Sequence, residues 1–406
     1  MGNSVIRLFL LAPNVSTQMG GEAIKALQIF EELHDVIGDV TQITHARNKV
    51  ELSKHRLADH IHFLEDDWVD ILLWRTAPLR VFLTPWFSFR AVKLAEELAG
   101  RHRDDKRVII HQTEPNSPVA ARWTSLRFKN VFGPINGNIY YPKSFRRFES
   151  IGTRIRRLLH FPLQSVNRLF WRGIRNADLV LAAGGDRTTR SLLAAGVPPA
   201  RIYSTLDCGI PDSLTKIEHL RSSSAKGRFI HFGRLFFHKG TYLAIQAIAK
   251  ADRQVSLDIV GRGPELSRCK ALVKDLALND RVRFLDWYDN RDDLVASFKN
   301  YIGVILPSIE DANGIVVQEA MAAGLVPVCL NWGGPQLLIE DGISGYLVSP
   351  DLLAQIPERI AYCLNLLAAD TALVASMSAK ARARAAEWRW SDLARDWANR
   401  YKILSS

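Results

Sequence analysis

Cysteine is scarce in this chain: 406 residues hold four, Cys208, Cys269, Cys329 and Cys363. They stand far apart, and none has metal-ligand spacing. So few in so long a chain speaks against a disulfide framework and predicts free thiols in a reducing cytoplasm. Long apolar runs are also missing, and no stretch reaches the roughly 18 residues that span a bilayer. The first charge, Arg7, falls inside the short N-terminal apolar run. Val5–Ala12 therefore reads as a buried strand, not a signal peptide. No Asp-x-Asp stands ready to hold a metal between phosphates. No repeat of solenoid type is present. Acidic residues number 42 against 53 Lys and Arg, a formal charge of +11. That excess favours an anionic partner, whether phosphorylated substrate, anionic lipid or nucleic acid, but no recognised nucleic-acid motif accompanies it.

What is present is alternation. Hydrophobic residues make up 47% and charged residues 23%, values of a soluble globular chain long enough for two domains. In the C-terminal half the strand candidates are Phe229–Phe232, Val255–Val260, Val282–Leu285, Gly303–Leu306, Val326–Leu330 and Tyr346–Val348, with helices such as Thr241–Ala251 and Glu265–Leu276 between them. The N-terminal half is less clean. Its candidates are Val5–Ala12, Ile71–Trp74, Val108–His111, Leu179–Ala182 and Arg201–Thr205, with a first helix over Glu22–Leu33. Strand–helix alternation predicts an α/β protein with two doubly wound parallel sheets in series. The boundary falls in the Pro- and Ser-bearing stretch Ile210–Gly227, which reads as a linker. That gives an N-terminal domain over 1–209, a C-terminal domain over 210–390, and a last amphipathic helix over 391–406 with Trp397 and Tyr401, expected to pack back on the N-terminal domain.

Four motifs carry chemistry. Gly233-Arg-Leu-Phe-Phe-His-Lys-Gly240 lies between a strand and a helix, where free amides and a helix dipole meet. Arg234 and Lys239 add two positive charges, so the loop suits a diphosphate; a solvated turn with two surface cations is the alternative. Gly261-Arg-Gly-Pro264 also follows a strand, and Gly261 and Gly263 permit close backbone approach, as tight turns do too. Pro307–Gly324 holds a polar loop and a helix starting near Gly314. Asp311 in the loop and Glu319 in the helix's second turn can accept hydroxyl hydrogen bonds, or serve as a dipole partner and a solvated residue. Gly333-Gly-Pro335 and Glu340–Val348 follow.

In order and spacing these motifs resemble family 4 retaining glycosyltransferases, closely from about Asp207 to Val348. The resemblance implies the GT-B fold, two Rossmann-like domains facing a central cleft. It implies Arg234 and Lys239 on the diphosphate of a UDP- or GDP-linked sugar, and Glu319 on the ribose. Gly233, Gly261 and Gly263 would line the donor, and Asp311, Ala312, Asn313, Gly314, Ile315 and Val316 would border its sugar and phosphate. In the N-terminal half, Gly20 and Gly21 of Met19-Gly-Gly-Glu22 would lie near the phosphates. His111 would stand beside the transferred sugar as a catalytic group with Asp311, Arg234 and Lys239; a hydrogen-bonded strand-end histidine is the alternative. The chain departs from the family at Asp311, usually Glu, at Asn313, usually Phe, and at Leu337, usually Glu. The implied activity is a metal-independent, cofactor-free hexosyl transfer to a saccharide or lipid-linked acceptor, in bacterial polysaccharide or glycolipid synthesis. A sugar-nucleotide epimerase or hydrolase on the same scaffold, or a non-catalytic membrane-surface protein, are the alternatives.

Between 143 and 175 the chain carries Lys143, Arg146, Arg147, Arg154, Arg156, Arg157, Arg168, Arg172 and Arg175 against Glu149 alone. Ile151, Ile155, Leu158 and Leu159 recur at helical spacing, as do Val166, Leu169, Phe170 and Ile174 after Pro162. Basic amphipathic helices suit an anionic membrane surface, here the inner face of the cytoplasmic membrane. A helix pair docked on the core with a solvated basic face is the other reading.

Overall fold

The computed structural model describes residues 6–19, 21–101, 107–170, 173–215, 225–288 and 290–405. Val5, Gly20, Trp171, Arg172 and much of the expected linker lie outside them. The chain divides into two compact units. The first holds Met1–Asn138, Ile155–Gly209 and Trp390–Ser406; the second holds Ile139–Arg154 and Ile210–Arg389.

The first unit is built on strands β1 (Ile6–Leu11), β2 (Val40–His45), β3 (Ile61–Leu64), β4 (Arg107–Gln112), β5 (Lys129–Ile135), β6 (Leu179–Ala182) and β7 (Ile202–Ser204). They form one parallel sheet in the order β3-β2-β1-β4-β5-β6-β7. The order reverses direction between β1 and β4, the switch point where such sheets open a ligand crevice at their carboxyl ends. β1 is buried throughout, as a central strand covered on both faces must be. The Trp390–Ser405 helix belongs to this unit. Trp397 and Tyr401 are its buried anchors, and the Trp397 indole donates to Thr205 Oγ1 at 2.9 Å.

The second unit holds β8 (Arg228–Phe232), β9 (Ser256–Val260), β10 (Val282–Leu285), β11 (Gly303–Leu306), β12 (Val326–Leu330) and β13 (Tyr346–Val348). Their order is β10-β9-β8-β11-β12-β13, again parallel, with the switch point between β8 and β11.

The N-terminal sheet corrects several expectations. Ile71–Trp74 is not a strand but part of a helix, Trp68–Arg75. Its start is fixed by a reciprocal cap. The Asp67 carboxylate accepts from Asp70 N at 2.9 Å, and Asp70 accepts from Asp67 N at 3.1 Å. β2, β3 and β5 were hidden by their polar content and by Pro134 in β5. Residues 139–154 pack in the second unit and not, as expected, with the rest of 1–209. Phe145 is the cause, for it is fully buried among Leu243, Ile305 and Val328. The Trp332 indole also donates to Tyr140 O at 2.9 Å.

The basic segment forms one helix, Ile151–Phe170, running through Pro162 instead of breaking there. From 155 onward its polar side faces the first unit. His160 Nε2 meets Ser191 Oγ at 2.8 Å, Gln164 donates to Pro118 O at 2.9 Å, and Asn167 donates to Val119 O at 3.2 Å. Leu158 (69% exposed) and Leu169 (71%) point to solvent. The alternative of a helix pair docked on the core by its apolar stripe does not hold, since the one helix docks by its polar side.

Candidate active site

In the second unit, three loops gather at the carboxyl ends of β8, β9 and β11. The loop after β8 is pinned from below. His231 is buried; its Nδ1 donates to Ile305 O at 2.8 Å, and its Nε2 accepts from Thr241 Oγ1 at 2.9 Å. Burial holds that imidazole down at about 4, so it stays neutral and anchors the start of the Thr241–Lys250 helix. Gly240, the residue before that helix, has φ +70°, and a side chain there would strike the Pro307 backbone.

The loops after β8 and β9 are zipped together. Leu235 N donates to Arg262 O at 2.9 Å, and Glu265 N donates to Leu235 O at 3.1 Å. A Cβ on Gly263 would lie 2.8 Å from Leu235 N, and one on Gly261 would lie 2.9 Å from Leu235 Cδ2. The glycines expected to admit a ligand are therefore required by the neighbouring loop. Arg234 is exposed and lies over the Phe236 ring at 5.4 Å. Arg262 is a further exposed cation on the adjoining turn, which sequence reasoning passed over.

The third loop brings the charges into register. Lys239 Nζ contacts Asp311 Oδ2 at 2.8 Å, while Asp311 Oδ1 accepts from Gly314 N at 2.9 Å. Asp311 thus ties a lysine from one loop to the N-terminus of the Ile315–Ala322 helix. Gly314 takes φ +70°, and Gly334 N donates to Asp311 O at 2.8 Å, which braces the turn. Helical geometry leaves the first-turn amides, Ile315 and Val316, without intrahelical acceptors and with the positive end of the dipole. Asn313 is half-buried in the same turn. Glu319 lies one turn further and pairs with Arg291, from a helix the sequence motifs did not include. Burial pushes the Glu319 carboxyl above the ordinary carboxylate range, with Arg291 opposing. A cationic rim, exposed amides and a poised carboxylate are what a nucleoside diphosphate requires.

In the first unit, Gly21 opens the Gly21–Ile37 helix, and Gly20 lies outside the described residues. His111, expected as a catalytic group, sits in β4. It is wholly buried, its Nε2 donates to Gly133 O at 2.7 Å, and its Nδ1 accepts from Tyr401 OH at 2.9 Å. Burial lowers its pKa to about 4. Its ring joins β4 to the C-terminal helix through Tyr401.

Sequence reasoning missed a polar cluster beside it. Glu114 is 6% exposed, and its Oε1 has no hydrogen-bond partner among the described residues. Burial pushes its carboxyl up to about 7, aided by the Glu22 carboxylate and opposed by Lys25. Lys25 meets Asp207 Oδ1 at 2.8 Å in a buried pair, and Asn116 donates to Glu22 Oε1 at 3.1 Å. These groups come from the segments after β1, β4 and β7, so only the sheet order assembles them.

Comparison with known proteins follows the second unit. Residues 213–384 match the family model described as glycosyl transferases group 1. N-acetyl-alpha-D-glucosaminyl L-malate synthase of Bacillus anthracis is 30% identical over 190 residues, 45% of this chain and 49% of that protein. D-inositol 3-phosphate glycosyltransferase of Corynebacterium urealyticum is 30% identical over 182 residues, 42% of each chain. The chain spans less than half the length of these relatives. Among solved structures, Anabaena HepE in complex with UDP aligns with a TM-score of 0.66 and 19% identity, over 98% of this chain and 100% of that one. The apo lipopolysaccharide outer core galactosyltransferase WaaB aligns with a TM-score of 0.66 and 14% identity, over 98% and 99%. These likenesses establish the fold: two Rossmann-like units of the GT-B type.

Proposed function

We propose that the chain is a glycosyltransferase that moves a sugar from a UDP- or GDP-linked donor to a saccharide or lipid-linked acceptor, a reading supported by the match of residues 213–384 to the glycosyl transferases group 1 model. The observation that carries this reading is the linkage of Lys239, through Asp311, to the N-terminus of the Ile315–Ala322 helix. The departing nucleoside diphosphate gains negative charge as the glycosidic bond breaks. Arg234, Lys239 and the Ile315 and Val316 amides are fixed in advance to receive it, the arrangement that lowers a barrier most. The transfer retains anomeric configuration through an oxocarbenium-like state and takes no metal at this site. Glu319 accepts from the ribose hydroxyls, and Asp311 orients Lys239 while bordering the sugar. HepE is solved with UDP, which makes UDP the first donor to test.

The membrane surface is part of the same proposal. The Ile151–Phe170 helix spends its polar residues on the first unit and presents Leu158, Leu169 and several arginines outward. That is the composition of an interfacial helix on anionic lipid. It would hold the protein at the inner face of the cytoplasmic membrane, near a lipid-linked acceptor. The test of function is a thermal-shift screen of nucleoside diphosphates and their sugars. A cognate nucleotide at a hundred times its Kd stabilises by about 2.7 kcal/mol. A rise in melting temperature with UDP or GDP is expected, and no rise with any nucleoside diphosphate overturns the reading. Donor consumption without an acceptor would reassign the chain as a hydrolase or epimerase.

A further inference from the structure

We propose that the first unit binds a divalent zinc ion between His45, Asp66 and Asp70, at the carboxyl end of β2. Each residue offers one ligand atom, and these atoms lie within 4.8 Å of one another. His45 Nδ1 is 3.4 Å from Asp66 Oδ1. Tetrahedral zinc with bonds near 2.0–2.1 Å places neighbouring ligand atoms about 3.3 Å apart. The Asp66 side chain is 63% exposed, which leaves it room to adjust around an ion.

Two observations independent of the cluster point to a ligand there. His45 Nδ1 and Asp70 Oδ1 are both buried, and neither has a hydrogen-bond partner among the described residues. One oxygen of Asp70 is already committed. Asp70 Oδ2 accepts from Asp67 N at 3.1 Å and from Arg90, which leaves Oδ1 for the site. This is the outer support that metal ligands characteristically carry. Both unpartnered atoms are buried, and the exposed Asp66 carboxylate stands beside them. Burying polar atoms so costs free energy unless a cation sits among them.

The charge around the cluster agrees. Glu65, Asp66, Asp67 and Asp70 supply four carboxylates against the three cations Arg47, Lys49 and Arg90. One imidazole with two carboxylates suits zinc, whereas calcium and magnesium call for oxygen-only sets of higher number. The ion would join the end of β2 to the segment before the Trp68–Arg75 helix, whose Trp68 is 75% exposed. It belongs to the first unit, whereas the nucleotide loops belong to the second.

The test is calorimetric titration of the full chain, first stripped with chelator, using Zn2+ and separately Mg2+. One equivalent of Zn2+ is expected to bind, with Mg2+ at least about a hundredfold weaker. Asp66→Asn alters an exposed residue and leaves the fold intact; it is expected to weaken Zn2+ binding at least about tenfold. His45→Asn should do the same, while Asp35→Asn, an exposed position outside the cluster, should leave affinity unchanged. Co2+ substitution should give the visible absorption of a tetrahedral site, and Asp66→Asn should abolish it. Absence of Zn2+ binding overturns the proposal. Binding that survives both Asp66→Asn and His45→Asn overturns it equally, as adsorption to other histidines.

Discussion

Glu319→Ala gives the sharpest test of how the donor is held. The Glu319 side chain is 12% exposed and pairs with Arg291, so its carboxylate reaches a ligand from a site largely shielded from water. A hydrogen bond to a charged partner contributes about 1.5–3 kcal/mol. At 1.4 kcal/mol per decade this is roughly ten- to a hundredfold in Kd. The wild-type protein should therefore bind UDP that much more tightly than 2′-deoxy-UDP. In Glu319→Ala the two ligands should bind alike, within about twofold, because the group that distinguishes them is gone. Arg291 is half exposed and remains hydrated when its partner is removed, so the variant should keep its fold. Calorimetric titration of both proteins with both nucleotides supplies the four affinities. A variant that still prefers UDP by the wild-type factor would refute the assignment of Glu319 to the ribose. A variant that weakens both ligands by the same factor would refute it too, and would assign Glu319 to bracing the loop through Arg291.

Two further outcomes follow from the first unit. Glu114 has its folded pKa raised to about 7 from 4.5. The folded state then holds a proton that the unfolded chain has released, so stability falls as pH rises from 4.5 through 7, by up to about 3 kcal/mol. Glu114→Gln should remove that slope, matching wild type near pH 4 and exceeding it at pH 8; parallel urea-denaturation profiles across this range would contradict the account. Leu158→Asp with Leu169→Asp alters two exposed positions and should leave the melting temperature within about 1 °C while abolishing co-sedimentation with anionic liposomes at low salt. Unchanged co-sedimentation would remove that helix from the membrane proposal.

The second unit was legible in the sequence because its strands are short β-branched runs, buried on both faces and punctuated by glycine. β10, β11, β12 and β13 stand where the pattern places them. Lys239 and Asp311 were legible as motif residues, but not as partners: they lie 72 residues apart, and only the β8–β11 pairing joins them. The first unit was harder. Four apolar residues at Ile71–Trp74 read as a strand, although the Asp67–Asp70 cap written just before them sets a helix. A D-x-x-D cap is a weaker signal than an apolar run until the run proves exposed. His111 shows what the sequence leaves unwritten about a residue's surroundings. The strand end was placed correctly, yet nothing in the sequence tells that Tyr401, 290 residues on, would occupy its Nδ1. Glu114 escaped notice for the same reason, since its environment is made by helix and strand ends remote in sequence. Residues 139–154 changed unit because one aromatic, Phe145, has its pocket there.

The central claim is that the second unit holds the diphosphate of a nucleotide on Arg234, Lys239 and the amides opening the Ile315–Ala322 helix. Comparing UDP with uridine by calorimetry isolates that contribution. The wild-type protein should bind UDP at least about a hundredfold more tightly than uridine, and Arg234→Ala with Lys239→Ala should lose most of that preference while its uridine affinity stays unchanged. A double variant that keeps the full preference for UDP over uridine would contradict the account.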